Sequence, residues 1–216
     1  MKTRTFKDLS DFARYVPLIL KEKLDSVPRT VTVGIPGGRG AESIVTGALS
    51  LSDEDLSRLS FYLVDERLSG LTNEQTLLDY GFKKAFEENR MRSGQLVILE
   101  EGRSFMERNQ TLDLLFLGVG EDGHIASLFP GSFVPSHQKD VIVVTDSPKM
   151  PKERISISYD ALRQYTVDSE VYLLFFGEGK QDAYNRFVKN EETCRTLPVQ
   201  FCRSLDSTLT VATDLA

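Results

Sequence analysis

The stretch Asp113–Pro130, DLLFLGVGEDGHIASLFP, constrains the fold more than any other part of the chain. Leu114–Leu117 is a short continuous apolar run, the kind that forms a strand covered on both faces. It breaks at Gly118-Val119-Gly120, where glycines let the backbone turn sharply and let another group approach closely. Glu121, Asp122 and His124 follow at once, and apolar character returns over Ile125–Phe129 before Pro130 and Gly131. Acid and imidazole groups are thus delivered at the carboxyl end of a buried strand. In open α/β sheets, ligands bind there.

The rest of the chain repeats that arrangement. Residues 6–25 carry apolar side chains at helical spacing and predict an amphipathic helix, with Pro17 predicting a kink or a later start. A β-branched strand at 31–35 runs into Pro36-Gly37-Gly38-Arg39-Gly40 and a helical AESIVTGAL. Strand, glycine loop and helix N-terminus make an anion cradle, because unpaired N–H groups and the helix dipole both favour negative charge. The loop fits neither the Walker pattern nor G-x-G-x-x-G, and a tight turn without a ligand reads equally well. A strand at 60–64 ends in Asp65-Glu66-Arg67, which in isolation reads as a solvated ion-pair cluster, and 77–86 reads as helix. Further strands are expected at 96–99, 141–145, 170–177 and 208–211. Between them, Lys149, Lys152 and Arg154 form a basic segment held extended by Pro148 and Pro151. Lys180 is expected one turn into a helix after a glycine loop, well placed for an anion. His137 reads as a surface residue and is given no role. Alternating strands and helices predict one α/β domain over residues 1–216, a mostly parallel sheet with helices on both faces.

Charge limits the partners. The 216 residues carry 32 acidic against 26 basic side chains, a net charge of −6, which argues against a nucleic-acid binder. An anionic small molecule would need local basic residues at strand ends. No apolar run approaches the ~20 residues that span a bilayer, and the N-terminus lacks the apolar core of a signal peptide. No membrane association is therefore expected, and the default location is cytoplasmic. Cys194 and Cys202 match no metal or redox motif and are expected as free thiols.

GVGEDGHIASLFP resembles the signature of 6-phosphogluconolactonases, G-(M/I)-G-x-D-G-H-(T/I)-A-S-L-F-P. The wider superfamily includes glucosamine-6-phosphate deaminases, whose matching stretch reads D-G-H-I-A-F-N-E-P; Phe129 stands at the position of their catalytic glutamate. Asp65-Glu66-Arg67 is similar to the lactonase D-E-R rather than the deaminase D-E-Y. Gly37, Gly38 and Arg39 match a lactonase G-G-(S/T/R), although Gly40-Ala41 replaces a frequent Thr-Pro. Residues 147–156 are similar to S-P-K-P-P-x-x-R-(I/L)-(T/S), Gly177–Lys180 to a shared G-x-x-K, and Asn73 lies near a frequent Ser-Asn pair.

The resemblance covers residues 31 to about 198. It implies a Rossmann-like, NagB/RpiA-like domain that hydrolyses 6-phospho-D-glucono-1,5-lactone to 6-phosphogluconate, in the second step of the oxidative pentose phosphate pathway, without cofactor or metal. His124 is expected as general base, since imidazole ordinarily titrates near pH 6.5. Asp122 or Asp65 is expected to hold its tautomer. The Gly37-Gly38 amides or Arg67 are expected to stabilise the oxyanion, Arg154 and Lys180 to grip the phosphate, and Arg39 to join either task. A monomer or weak homodimer is expected. Two other readings stay open: a deaminase, and a sugar-phosphate sensor that needs no imidazole.

Overall fold

The computed structural model describes residues 1–107, 109–132 and 139–215; His137 lies outside them. The chain opens with β1 (Lys2–Thr5), a fully exposed strand that no apolar alternation announces, and α1 (Leu9–Ser26). Asp8 caps α1 by accepting from the Asp11 N–H at 2.8 Å, filling one of the helix's unpaired donors. Phe12, Val16, Ile19, Leu20 and Leu24 are buried on its inner face, each stabilising by about 1.5–3 kcal/mol as it leaves water. That face outweighs the hydrogen bond lost at Pro17, and the helix starts before the proline and runs through it.

A first crossover follows through β2 (Val31–Ile35), α2 (Gly40–Leu49), α3 (Asp53–Ser57) and β3 (Leu59–Leu63). The chain continues directly into β4 (Asp65–Arg67), so the acidic-basic triplet is itself a short strand. The helix expected at 77–86 is divided: α4 (Asn73–Leu77) and α5 (Lys83–Glu87) flank a wide π turn at Leu78–Phe82. Gly81 causes the break, with φ 138° in a region that glycine tolerates. β5 is only Leu96–Val97, shorter than the expected 96–99. Then come β6 (Leu114–Gly118), β7 (Val141–Val144), β8 (Arg154–Ile157), α6 (Tyr159–Tyr165), β9 (Glu170–Phe175), α7 (Gln181–Lys189) and β10 (Thr208–Thr213).

Seven strands form one sheet in the order β1-β10-β9-β6-β2-β3-β5, with every pairing parallel. On β6, Leu114 and Phe116 pack into the cluster that holds Phe12 of α1 and Ile44 of α2. Leu115 and Leu117 point the other way, toward Leu162 of α6 and Phe187 of α7. Both faces are covered, which explains the unbroken apolar run. The expected parallel sheet with helices on both faces is what the chain forms.

One layer was not anticipated. β4, β8 and β7 make a separate antiparallel sheet, although the stretch at 141–145 reads like another strand of the main one. Its register sets Arg67 opposite Arg154 and Asp65 opposite Ser156. This small sheet stands beside the carboxyl ends of the parallel strands and carries Asp65, Arg67 and Arg154 of the candidate site.

Candidate active site

A cavity of about 610 Å³ opens at those strand ends, and Gly38, Asp65, Arg67, His124, Arg154 and Lys180 are among the residues lining it. His124 sits in a tight loop after β6. The Gly120 N–H donates to the His124 carbonyl at 2.8 Å, and the Gly123 N–H donates to the Gly120 carbonyl at 3.0 Å. A Cβ on Gly120 would fall 1.9 Å from His124 Nδ1, so only glycine lets the ring fold back on this loop. Nδ1 lies 2.5 Å from Asp122 Oδ1. Burial works to raise the Asp122 carboxyl, but its bond to His124 and the neighbouring charge outweigh that and hold it at about 2. An ionised Asp122 accepts, so the proton belongs on Nδ1 and the lone pair on Nε2. Phe129 packs against the imidazole with ring centroids 4.6 Å apart.

Asp65 was the other acid expected to hold the imidazole. It makes no hydrogen bond to His124; Ser127 Oγ donates to its Oδ2 at 2.8 Å. Asn73 Nδ2 donates to the Asp65 carbonyl at 2.9 Å and to Oδ1 at 3.2 Å. Burial pushes the Asp65 carboxyl above its ordinary range. Ala126, with φ 48°, turns the chain between the imidazole and Ser127, a left-handed conformation uncommon for a residue with a side chain. The Glu66 carboxylate collects the N–H groups of Arg67, Asn73 and Glu74. Asn73 backs the glycine loop: a Cβ on Gly37 would fall 2.0 Å from Asn73 Cγ. Gly37 and Asp122 thus act behind the wall, whereas Gly38 lies on it.

The cations divide into two groups. Arg67 Nη1 donates to the Leu71 carbonyl at 3.1 Å, while its Nε is buried without a partner among the described residues. Arg154 Nε and Nη2 donate to the carbonyls of Pro151 and Met150 at 3.0 and 3.2 Å, so this guanidinium also ties down its own basic loop. Lys180, Arg39 and Lys149 line the same cavity. Lys180 lies just before α7, in a short turn at Glu178–Lys180, rather than one turn into a helix. Burial, then the charges of Arg39 and Lys149, push its ammonium down to about 8. Arg39 reaches the Glu121 carboxylate at 3.9 Å.

Ser127 and Glu66 were not among the site residues expected from the sequence. Ser127 lies within the signature stretch, but its partner is 62 positions away, and nothing local announces such a pairing.

Fold and site together define an α/β protein with an oriented imidazole and several cations lining one cavity at the strand ends. The chain belongs to the family of glucosamine-6-phosphate isomerases and 6-phosphogluconolactonases, whose model matches residues 8–211. A 6-phosphogluconolactonase of Borreliella burgdorferi is 29% identical over 193 residues, 80% of this chain and 79% of that protein. A protein of Oryza sativa subsp. indica, named "Probable 6-phosphogluconolactonase 3, chloroplastic", is 37% identical over 105 residues, 48% of this chain. That match spans only 31% of the rice protein.

Among solved structures, the 6-phosphogluconolactonase of Leishmania guyanensis superposes with a TM-score of 0.79 at 17% identity, covering 98% of this chain and 95% of that one. A monomeric glucosamine-6-phosphate deaminase superposes with a TM-score of 0.73 at 13% identity, covering 99% and 97%. The fold is common to both chemistries, so only the site can distinguish them. Among the described residues, no helix is long and apolar enough to cross a membrane.

Proposed function

We propose that the chain hydrolyses 6-phospho-D-glucono-1,5-lactone to 6-phosphogluconate, with His124 as general base and no metal. The observation that carries this reading is the Asp122–His124 bond at 2.5 Å, which directs the basic nitrogen of a cavity-lining imidazole away from its acid partner. His124 Nε2 takes a proton from water as the water oxygen bonds to the lactone carbonyl carbon. The resulting oxyanion is met by the amides of the Gly37-Gly38 loop or by Arg67, a cation on the cavity wall that suits a developing negative charge. Collapse breaks the bond from that carbon to the ring oxygen, and the imidazolium returns its proton there. The Lys180 and Arg154 cations, with Arg39, hold the phosphate and orient the lactone.

General base help of this kind is worth roughly 10²–10⁴-fold, about 3–5 kcal/mol of barrier. Phe129 supports the lactonase over the deaminase: an apolar ring packs on the imidazole at the position of the deaminases' catalytic glutamate. We place the enzyme in the cytoplasm, acting on a small phosphorylated sugar as a monomer or weak homodimer.

Freshly generated lactone, followed with the wild-type chain and with His124→Ala, tests the proposal against spontaneous hydrolysis. Acceleration by wild type that falls by at least a hundredfold in the variant is the expected result. Equal acceleration by both would remove His124 from its role, and no acceleration by either would defeat the lactonase reading.

A further inference from the structure

The cations on the Lys180 side of the cavity face an acid that the mechanism above does not use. Glu121 lines the cavity, with its carboxylate 3.9 Å from the Arg39 guanidinium. It also reaches the loop that carries Lys180: a Cβ on Gly179 would stand 2.9 Å from Glu121 Oε1. Glycine at 179 leaves the room that this carboxylate fills. Asp214 is a second acid near Lys180, but it is committed to the Gly177 N–H at 2.8 Å. Glu121 has no comparable hydrogen bond among the described residues, and its side chain is 58% exposed.

We propose that Glu121 is a built-in competitor of the ligand's phosphate: in the empty site it occupies the anion position beside Arg39 and the Lys180 loop and must be displaced by the incoming group. The inference rests on the phosphate-binding reading given above. A sugar phosphate displaces the carboxylate because its sugar makes further contacts at the buried end of the cavity. A bare inorganic anion meets the same repulsion without those contacts, so it reads the competition most directly. The product's phosphate meets the same repulsion, which hastens its release. Glu121 therefore weakens ground-state binding of substrate and product alike, which raises KM without adding to the chemical step.

Titration calorimetry with inorganic phosphate at about pH 6.5, below the lowered value of about 8 for Lys180, compares wild type with Glu121→Gln. Removing one charge a few ångströms from an anion near the surface is expected to tighten phosphate about three- to tenfold. Glu88→Gln makes the same change of net charge beyond the end of α5 and is expected to bind as wild type does. In lactone assays KM falls for Glu121→Gln while kcat does not rise. Unchanged phosphate affinity overturns the proposal. Weaker binding overturns it too, since Glu121 would then act by keeping Lys180 protonated. If phosphate tightens as expected but wild type leaves the lactone's spontaneous loss unaccelerated, the role of Glu121 stands and the lactonase reading fails. If no phosphate binds to either protein, the proposal for Glu121 falls, and lactone turnover alone decides the lactonase reading.

Discussion

The two ends of the cavity are built on opposite principles. At one, Asp65, Asn73 and Ser127 are buried and bonded to one another, and the Glu66 carboxylate collects three backbone N–H groups. At the other, the Arg39 side chain is 82% exposed and meets Glu121 through a single contact of 3.9 Å. Bonds that break and form demand fixed positions, and a buried, saturated network supplies them. Capturing a charged group demands only reach and sign, which exposed side chains provide at little cost in folding. The imidazole lies between, held by an acid from its own loop.

The largest expected effect comes from loosening the fixed part. Asp122→Asn offers an amide where a carboxylate accepted the Nδ1 proton, and kcat is expected to fall roughly 10²–10⁴-fold with binding of 6-phosphogluconate retained. A loss below about threefold in steady-state assays would place the orientation of His124 elsewhere. The same variant has a pH signature. The Asp122 carboxyl is held below its ordinary 3.8, at about 2, so its contribution to stability is full above about pH 4 and is lost as pH falls toward 2. The difference in stability between wild type and variant should therefore shrink across that acid window in denaturant titrations.

The glycine loop sharpens the contrast within two residues. A Cβ on Gly37 collides with Asn73, whereas one on Gly38 meets nothing within 4 Å. Gly37→Ala is expected to destabilise by about 1–3 kcal/mol, and Gly38→Ala by less than about 0.5 kcal/mol. Equal shifts in thermal midpoint would show that Asn73 does not brace the loop.

Lys180 belongs to the capturing end yet is half-buried, and its ammonium is lowered from 10.5 to about 8. A lysine with a depressed value binds fewer protons when folded than unfolded between those limits, so its charge burdens the fold below about pH 8, and stability rises with pH above it. Lys180→Met is expected to stabilise the chain at pH 7 by about 1–3 kcal/mol while weakening 6-phosphogluconate by tenfold or more. Wild-type KM should climb as pH passes about 8, and the variant should lack that rise. The smallest effect is expected for Arg39→Ala. Its stability should stay within about 0.5 kcal/mol of wild type, with product affinity down a few-fold at low salt and little changed at high salt.

The parts of the site written on one stretch of chain were legible without coordinates. His124, Asp122 and the turning glycines lie within seven positions, and the strand before them declares its burial by composition. The parts that span the chain were not. The β4–β8 pairing joins residues 65–67 to 154–156, and nothing in the short triplet Asp65-Glu66-Arg67 announces a strand. β1 escaped for a related reason: it is an exposed edge whose pairing to β10 lies more than two hundred positions away. Gly81 also divided an apolar pattern that read as one helix, because its backbone turn leaves the periodicity of its neighbours intact.

By itself the sequence determined the alternation of strands and helices, the burial of β6 on both faces, and the delivery of imidazole, acids and cations to strand ends. Each of these follows from local periodicity and from glycine's freedom to turn. Only the tertiary structure decided which acid holds His124. Asp122 and Asp65 are both near a strand end, but the tight loop at Gly120 folds Asp122 back onto Nδ1, while Ser127 and Asn73 engage both oxygens of Asp65. A hydrogen bond depends on ångströms between side chains, and for groups brought together from distant parts of the chain only the packed fold sets that distance.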